Sequence, residues 1–412
     1  MSSTTHQIVV LGGNFGGFNI THYLFRQTLP VLQKLSPSTT YHVALITPNS
    51  HFYFKVGAPR ALINPTLIPT DRIFKAIPEA FAQYDEAFTF VQGKAVDIDP
   101  ESQTVTVQLT GDEQSGTKEV KYDSLFITTG TTSASPLWTL HDDHKSSIAA
   151  LQQLNSVLPN AKTVLIAGAG PAGVETAGEI ANAYPGAEIT IVSASSVLPR
   201  QSALSTQAIQ GLETLGINVL TDVKVISAPV TGESGVVKLA TGEEKQVDVF
   251  IDARGAEKAN TGFLPQNWLD DTGRILTRET YFRVKGDGKA DVSGIYAIGD
   301  VVSGSANTAI ELEAQFVTAA SSFAVDVAAK LPHENASSGG IWGLLGYSNV
   351  PVQKEFKPMK DTVVVTIGPN GGVGQMMGWG LPAFVIRKAK ALNFMLEMVG
   401  PAVSGEKFKK LN

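Results

Sequence analysis

Two distant segments of the chain repeat one pattern, in which a short apolar run leads into a glycine-rich turn and the start of a helix. The first run covers residues 7–11 and enters the turn 12–17, and the second covers residues 163–167 and enters the turn 168–173. A further apolar strand follows each helix, which completes a βαβ unit of the dinucleotide-binding kind. The sequence therefore predicts an α/β protein with two Rossmann-like units.

The composition excludes one class of redox chemistry. The chain has 412 residues, a net charge of −6 and no cysteine. Without cysteine it can form no disulfide, no thiolate metal site and no redox-active dithiol. Any redox cofactor in this chain must exchange electrons directly with its substrate. The negative net charge gives no reason to expect nucleic acid as a partner.

The second turn is a complete G-x-G-x-x-G motif, with Gly168, Gly170 and Gly173. These glycines allow a tight turn, a close approach to a pyrophosphate and close packing of helix on strand, while the helix N-terminus offers N–H donors. Its position between a strand and a helix supports a dinucleotide site. The alternative is a tight turn that binds no ligand.

The first turn is irregular. It has glycine at 12, 13, 16 and 17, but Asn14 stands where the middle glycine is expected. Asparagine tolerates unusual backbone angles, so we expect the turn to survive. The next strand ends at Thr47 rather than at an acid, and Asp71 is the first acidic residue of the chain.

Two later strand ends strengthen the prediction that the first turn binds a dinucleotide. One strand ends in Thr128, Thr129 and Gly130, and another ends in Gly299 and Asp300. An acid at a strand end can accept hydrogen bonds from a polyol such as ribitol. The alternative for Asp300 is a helix cap or turn residue.

Together these motifs resemble the two-dinucleotide flavoprotein family. The resemblance is closest to the apoptosis-inducing-factor-like group that includes the ferroptosis suppressor protein, and it extends to type II NADH dehydrogenases. It implies an FAD-binding unit, an NAD(P)H-binding unit and a small C-terminal α+β unit. The implied domains are residues 1–145 and 276–335 for FAD, 146–275 for NAD(P)H, and 336–412 for the C-terminal unit.

The resemblance also implies roles by position. On the FAD side it assigns cofactor contacts to the turn, to two residues of the following segment and to the two strand ends: Gly12, Gly13, Asn14, Gly16, Gly17, Thr47, Lys55, Arg60, Thr129, Gly130 and Asp300. On the nicotinamide side it assigns Gly168, Gly170 and Gly173. Glu175 matches a glutamate close to the nicotinamide carboxamide and is the candidate catalytic residue.

The choice between NADPH and NADH depends on the residue at the end of the strand that follows the second glycine turn. Ser193 stands where an acid would bind a free 2′-hydroxyl, and Arg200 lies a few residues further on. The sequence therefore slightly favours NADPH, with NADH also used. The alternative is a neutral loop that discriminates little.

The C-terminal unit leaves two interpretations open. We expect a strand over 362–367, a hairpin turn over 369–372 and an amphipathic helix over 383–398. The apolar run 376–385, with Arg387 and Lys388 after it, fits a membrane-facing surface near a lipid-soluble quinone. It also fits a helix that packs on the FAD unit.

The function expected from these observations is hydride transfer from NAD(P)H to FAD and onward to a quinone or a similar small acceptor. The helix predicted over 309–330 would point its N-terminus at the flavin, with Glu311 or Glu313 facing away. Two alternatives stay open: an oxidoreductase that modifies a specific small molecule, and a nucleotide-binding signalling protein with vestigial turnover. We expect a cytoplasmic protein, either free or peripheral on a membrane through its C-terminal unit.

Overall fold

The computed structural model of the protein describes residues 4–111, 116–200, 202–256, 258–278, 280–286, 288, 291–331 and 351–409. The predicted boundary between the FAD unit, ending at residue 335, and the C-terminal unit, beginning at residue 336, lies outside these residues. Among the described residues, no helix is both long enough and apolar enough to cross a membrane.

The described secondary structure alternates strands and helices through most of the chain. The strands are β1 (Thr4–Leu11), β2 (Thr39–Thr47), β3 (His51–Tyr53), β4 (Phe74–Ala76), β5 (Phe88–Asp99), β6 (Thr104–Leu109), β7 (Thr117–Lys121), β8 (Ser124–Ile127), β9 (Thr131–Thr132), β10 (Thr163–Ala167), β11 (Glu188–Val192), β12 (Asn218–Leu220), β13 (Val225–Ser227), β14 (Gly235–Leu239), β15 (Glu244–Val247), β16 (Val249–Asp252), β17 (Lys258–Ala259), β18 (Thr277–Arg278), β19 (Arg283–Val284), β20 (Ile295–Ala297), β21 (Val363–Thr366), β22 (Gly372–Met376) and β23 (Trp379–Gly380). The α-helices are α1 (Phe15–Tyr23), α2 (Leu29–Leu35), α3 (Ala58–Ala61), α4 (Thr70–Ile73), α5 (Ile77–Phe81), α6 (His144–Val157), α7 (Pro171–Ala183), α8 (Ser205–Thr214), α9 (Ala309–Ala328), α10 (Ala383–Ile386) and α11 (Val399–Val403).

The first sheet has nine strands in the order β18-β19-β20-β8-β1-β2-β5-β6-β7. Its central strands β20, β8, β1, β2 and β5 are parallel. Parallel strands are buried on both faces, which explains the continuous apolar run Ile8, Val9 and Val10, all at most 1% exposed. Strands β1 to β8 of this sheet precede the second sheet in the sequence, and strands β18 to β20 follow it. The second sheet is therefore inserted within the first in sequence order.

The second sheet is parallel and has the order β12-β11-β10-β16, with the antiparallel strands β13, β14 and β15 beside it. The chain passes from the first unit to the second after β9 and begins its return at β17. These two strands form a short antiparallel pair. The predicted fold class of two Rossmann-like units is confirmed. We keep the predicted domain boundaries as a proposal.

The C-terminal unit confirms the predicted strand and hairpin, because β21 and β22 pair antiparallel around the turn. The helix predicted over 383–398 is wrong: α10 ends at Ile386 and gives way to a π-helical turn, Arg387–Ala391. Phe394 and Met395 then have φ of +52° and +60°. A right-handed helix cannot continue through residues in the left-handed region, so the chain turns there.

Candidate functional site

The first glycine turn leaves no room for side chains at its two ends. Gly12 has φ of +102°, and a Cβ on it would lie 2.6 Å from the carbonyl oxygen of Thr128. A Cβ on Gly17 would overlap the carbonyl oxygen of Gly12, and one on Gly16 would lie 3.0 Å from the Cβ of Thr128. The glycines are therefore needed for packing α1 against β1 and β8.

Asn14 keeps its place in this turn for a different reason from the one expected. Its φ of −100° and ψ of −153° are extended, so no tolerance of the left-handed region is required. Its Oδ1 accepts a hydrogen bond of 3.1 Å from the backbone N–H of Tyr53. The side chain thereby joins the glycine turn to β3.

Thr47 lies beside the same turn, at the end of β2. It is buried, and a Cβ on Gly13 would lie 2.5 Å from its Cγ2 methyl. Its hydroxyl accepts a hydrogen bond of 3.4 Å from the Asn49 N–H. Thr47 thus occupies the position of the ribose-binding acid without offering a charge, and its contact with FAD stays a prediction.

The ends of β1, β8 and β20 meet at one edge, because these strands are neighbours and parallel. This edge brings Gly12, Gly130 and Asp300 together. A Cβ on Gly130 would meet no atom within 4 Å. The carboxylate of the half-buried Asp300 has no hydrogen bond or ion pair within the described part of the chain. The Thr129 hydroxyl, in contrast, already donates to the Asn260 carbonyl at 2.8 Å.

The second glycine turn has the same construction. Gly168 has φ of +108°, and a Cβ on it would lie 2.5 Å from the carbonyl oxygen of Ala253. A Cβ on Gly173 would overlap the carbonyl oxygen of Gly168. Gly170 differs, because a Cβ there would meet nothing within 4 Å. The turn therefore presents open space directly before α7 begins at Pro171.

Glu175 lies on α7, where it contacts the C-terminal unit. It is 3% exposed, and its Oε1 accepts hydrogen bonds from the Lys390 ammonium at 2.5 Å and from the Thr366 N–H at 3.1 Å. Burial raises the pKa of the Glu175 carboxyl above its ordinary value, and the Lys390 ammonium opposes that rise. Its predicted contact with the nicotinamide remains a prediction, and these partners give it a structural role as well.

Arg60 makes contacts that differ from those expected near a flavin phosphate. It is 8% exposed and binds both carboxylate oxygens of Glu179, at 2.7 and 2.9 Å. It also donates to the carbonyls of Ala391 and Leu392, each at 2.8 Å, and lies over the Phe394 ring. All three guanidinium nitrogens have protein acceptors, so the contacts favour a role in joining the units.

Lys55 is the predicted FAD-side cation that has no charged partner among the described residues. It is half-buried at the start of a short 3₁₀ turn, Lys55–Gly57, directly after β3. Its ammonium makes no hydrogen bond or ion pair with any described residue. An unpaired, partly buried cation is a suitable partner for a phosphate or another anionic group.

Ser193 is buried where β11 ends, and its hydroxyl donates to the Ser196 carbonyl at 3.1 Å. Arg200 is exposed and reaches across to the other unit, where it donates to the Ala306 carbonyl at 2.8 Å. No acidic side chain stands at 193–196. The predicted preference between NADPH and NADH is not decided by these contacts.

A protein-family model matches most of the chain. Residues 6–321 match the model described as pyridine nucleotide-disulphide oxidoreductase. The chain belongs to this family. An oxidoreductase of Penicillium herquei called phnG is 30% identical, over 99% of this chain and 98% of that protein. Human ferroptosis suppressor protein 1 is 23% identical, over 93% of this chain and 92% of that protein.

A solved structure with the same fold extends over nearly the whole chain. NDH2 of Plasmodium falciparum in complex with NADH has a TM-score of 0.66 and 15% identity, covering 98% of this chain and 99% of that one. The resemblance predicted from the motifs is confirmed. The general activity predicted from the sequence, an NAD(P)H-dependent flavin oxidoreductase, is also confirmed, since it is the activity of this family.

The residues present fit the cofactors of the family, which are FAD and NAD(P)H. At the first turn, the glycines are tightly packed, and the Asp300 carboxylate and the Lys55 ammonium have no partner among the described residues; this set suits a polyol phosphate. At the second, the open space at Gly170 before a helix N-terminus suits a pyrophosphate. The family name refers to a disulphide that a chain without cysteine cannot form.

Sequence reasoning missed two residues of this site. Thr128 packs against three glycines of the first turn, and its hydroxyl donates to the Leu11 carbonyl at 2.8 Å. The threonine pair at the strand end was a signal for it. Lys390, the partner of Glu175, follows it by 215 positions in the sequence. No local pattern could have connected the two.

Proposed function

We propose that the protein takes hydride from NADPH or NADH held at its second glycine turn, and passes electrons from FAD at the first turn to a quinone-like acceptor. The observation that carries the proposal is the pair of glycine cradles with one open middle position. When bound, the flavin supplies two-electron chemistry that no side chain of this chain can provide. The chain's own residues bind, orient and shield the two cofactors.

A lipid-soluble acceptor is favoured by an exposed surface of the C-terminal unit. The C-terminal apolar face consists of Met376, Met377, Trp379 and Phe384, which are 49%, 68%, 80% and 73% exposed. These exposures argue against the alternative in which this stretch packs on the FAD unit. The exposed cations Arg387 and Lys388 follow it in the sequence.

An apolar surface bordered by cations is suited to the surface of a bilayer that contains anionic lipids. One solved structure of the same fold is named a sulfide:quinone oxidoreductase, from Aquifex aeolicus, with a TM-score of 0.61 over 78% of this chain and 77% of that one. We therefore propose a peripheral contact with a membrane, from which the acceptor is taken.

For the donor, we propose that NADPH serves at least as well as NADH. No acid stands at the end of β11 to repel a 2′-phosphate, and the exposed Arg200 is close in sequence. A structure of the same fold, an engineered NADPH oxidase, lost an aspartate and gained two arginines in its redesign. Anaerobic reduction by each nucleotide tests this, and a strong preference for NADH would contradict it.

A second candidate is an oxidoreductase that modifies one specific small molecule. It is favoured by the sequence similarity, because phnG of Penicillium herquei and ptaL of Pestalotiopsis fici, both named only as oxidoreductases, are 30% and 31% identical. Ferroptosis suppressor protein 1 of Taeniopygia guttata is 24% identical. A reduced flavin that no quinone oxidises would favour this candidate.

The experiment compares two acceptors in liposomes that contain anionic lipids. A double variant Trp379→Ser, Phe384→Ser should lose about 100-fold of its activity with a long-chain quinone in the bilayer, since each aromatic side chain that the bilayer buries contributes about 1.5 kcal/mol, or about 3 kcal/mol for the two. Activity with a short-chain, water-soluble quinone should stay unchanged. The matched control is the double variant Ile226→Ser, Val230→Ser. It removes two apolar side chains, 65% and 69% exposed, from the predicted NAD(P)H unit. Equal activity of both double variants with the long-chain quinone would contradict the membrane contact.

A further inference from the structure

One buried amide joins the start of α9 to the strand end that carries Asp300. Gln315 is 1% exposed, and its Oε1 accepts a hydrogen bond of 2.6 Å from the Gly299 N–H. Its Nε2 donates to the Glu311 Oε1 at 2.7 Å and to the Ser305 hydroxyl at 3.3 Å. Both polar atoms of the side chain are used, so the first turns of α9 and the Asp300 turn keep a fixed relation.

The other oxygen of the Glu311 carboxylate is fixed as well. Its Oε2 accepts a hydrogen bond of 2.8 Å from the Ala306 N–H, and the Glu311 N–H donates to the Thr308 hydroxyl at 3.1 Å. Glu313, on the same helix, is different: its side chain is 56% exposed and pairs with Lys407 at 3.0 Å. The helix therefore has one acid that is held at its N-terminus and one that faces solvent.

The position of this acid matters because of what lies beside it. The N-terminus of a helix carries a partial positive charge, and a carboxylate in the first turn offsets it. Through Gln315, the start of α9 lies at the edge where Gly12, Gly130 and Asp300 meet. Asn307, just before the helix, has φ of +57° and a buried Oδ1 with no hydrogen-bond partner in the described structure. Such an acceptor is suited to a ligand donor at the same edge.

We propose that Glu311, held by Gln315, lowers the reduction potential of the flavin bound at this edge. Reduction adds negative charge to the flavin, which the positive end of α9 favours and the Glu311 carboxylate disfavours. Glu311 and Gln315 act as positioning and tuning residues rather than as catalytic residues. The inference rests on the proposed function only in placing FAD at the first turn.

The test is a redox titration of the FAD-loaded protein against a reference dye, without nucleotide or quinone. Glu311→Gln removes the charge and keeps an acceptor, so it should favour the reduced flavin about tenfold, which is about 30 mV for a two-electron couple. Glu313→Gln removes the same charge from the same helix and should change the potential by less than about a third of that. Glu311→Ala removes the same charge by truncation and should shift the potential upward, in the same direction as Glu311→Gln.

Two results would overturn the proposal: an unchanged potential in Glu311→Gln, or an equal shift in Glu313→Gln. If Glu311→Gln does not hold FAD, the direction of the shift in Glu311→Ala decides, and a fall or no change there overturns the proposal. Because neither NAD(P)H nor quinone enters the titration, an inactive enzyme with the expected shifts would refute only the proposed acceptor.

Discussion

The two glycine turns share a backbone and differ in their surroundings. Their first glycines have φ of +102° and +108°, and in both the last glycine packs directly on the carbonyl of the first. At the middle position they differ: the Asn14 side chain accepts a hydrogen bond from the Tyr53 N–H, whereas Gly170 faces open space. The ends of the motif are thus required by packing, while the middle depends on what the turn must leave room for.

The helices after these turns also differ in how they hold the C-terminal unit. On α7, Glu175 and Glu179 are buried and pair with Lys390 and Arg60, which come from other units. On α1 the corresponding contact is aromatic, because the Tyr23 ring packs edge-on against the Phe408 ring, with ring centroids 5.5 Å apart. The C-terminal unit is therefore held by charge on one side and by ring packing on the other.

The largest effect is expected at the last glycine of each turn. Gly17→Ala and Gly173→Ala should each lower the free energy of unfolding by about 3 kcal/mol, because a Cβ would overlap backbone atoms. Gly170→Ala is the matched control and should change it by less than about 0.5 kcal/mol. Chemical denaturation measures all three. Equal stability of the three variants would contradict the packing requirement, and a large difference between Gly17→Ala and Gly173→Ala would break the likeness between the turns.

A loss of FAD affinity is expected at the first site alone. Asp300→Asn should weaken FAD binding about 10- to 100-fold, because hydrogen bonds to a charged acceptor contribute about 1.5–3 kcal/mol. NADPH binding at the second turn should stay unchanged. Flavin fluorescence measures the dissociation constant, with the exposed Asp271→Asn as the control. An unaltered FAD affinity would remove Asp300 from the site.

Acid should weaken the first unit through His22. Burial, followed by the Arg26 charge, lowers the pKa of His22 from 6.5 to about 3. The unfolded chain therefore takes up the proton first, and the stability that neutral His22 provides above pH 6.5 is lost as the pH falls toward 3. The slope is about 1.4 kcal/mol per pH unit for one proton. Denaturation between pH 7 and 5 should show a shallower slope for His22→Gln, and parallel slopes would contradict the assignment.

The smallest effect is expected at Asn14. Asn14→Gly gives the first turn the middle glycine of the second, and it should cost about 1 kcal/mol of stability through the lost hydrogen bond to Tyr53. FAD affinity should stay within about threefold, since the side chain is already turned toward β3. Tighter FAD binding in this variant would mean that Asn14 crowds the pyrophosphate.

Local pattern was enough to predict the two βαβ units, α9 and the β21–β22 hairpin. Each follows from an apolar run, a glycine turn or a cap within a few residues. The helix expected over 383–398 failed because Phe394 and Met395 adopt positive φ. Arg60, more than three hundred residues earlier in the sequence, binds the Leu392 carbonyl and lies over the Phe394 ring at this turn. Such a long-range contact leaves no trace in local periodicity.

The site followed the same division. The positions of Gly12, Gly168 and Asp300 at turns and strand ends could be predicted, because turn geometry and strand ends are local properties, whereas their contacts with cofactors stay predictions. The partners of Glu175 and Arg60 could not, because each ion pair forms between separate units. The solvent exposure of Trp379 was likewise hidden, because an apolar run has the same sequence whether it is buried or not.

The central claim is that hydride donor and flavin occupy separate turns. Gly170→Val tests it, because the backbone there is extended and the added side chain enters open space where a nucleotide pyrophosphate would lie. The variant should keep its FAD and its thermal transition, and the NADPH concentration for half-maximal flavin reduction should rise about tenfold or more. Gly186→Val, also in open space but away from the turn, is the control. Stopped-flow bleaching of the flavin band under anaerobic conditions gives the answer. Reduction of Gly170→Val at the normal rate and NADPH concentration would contradict the account.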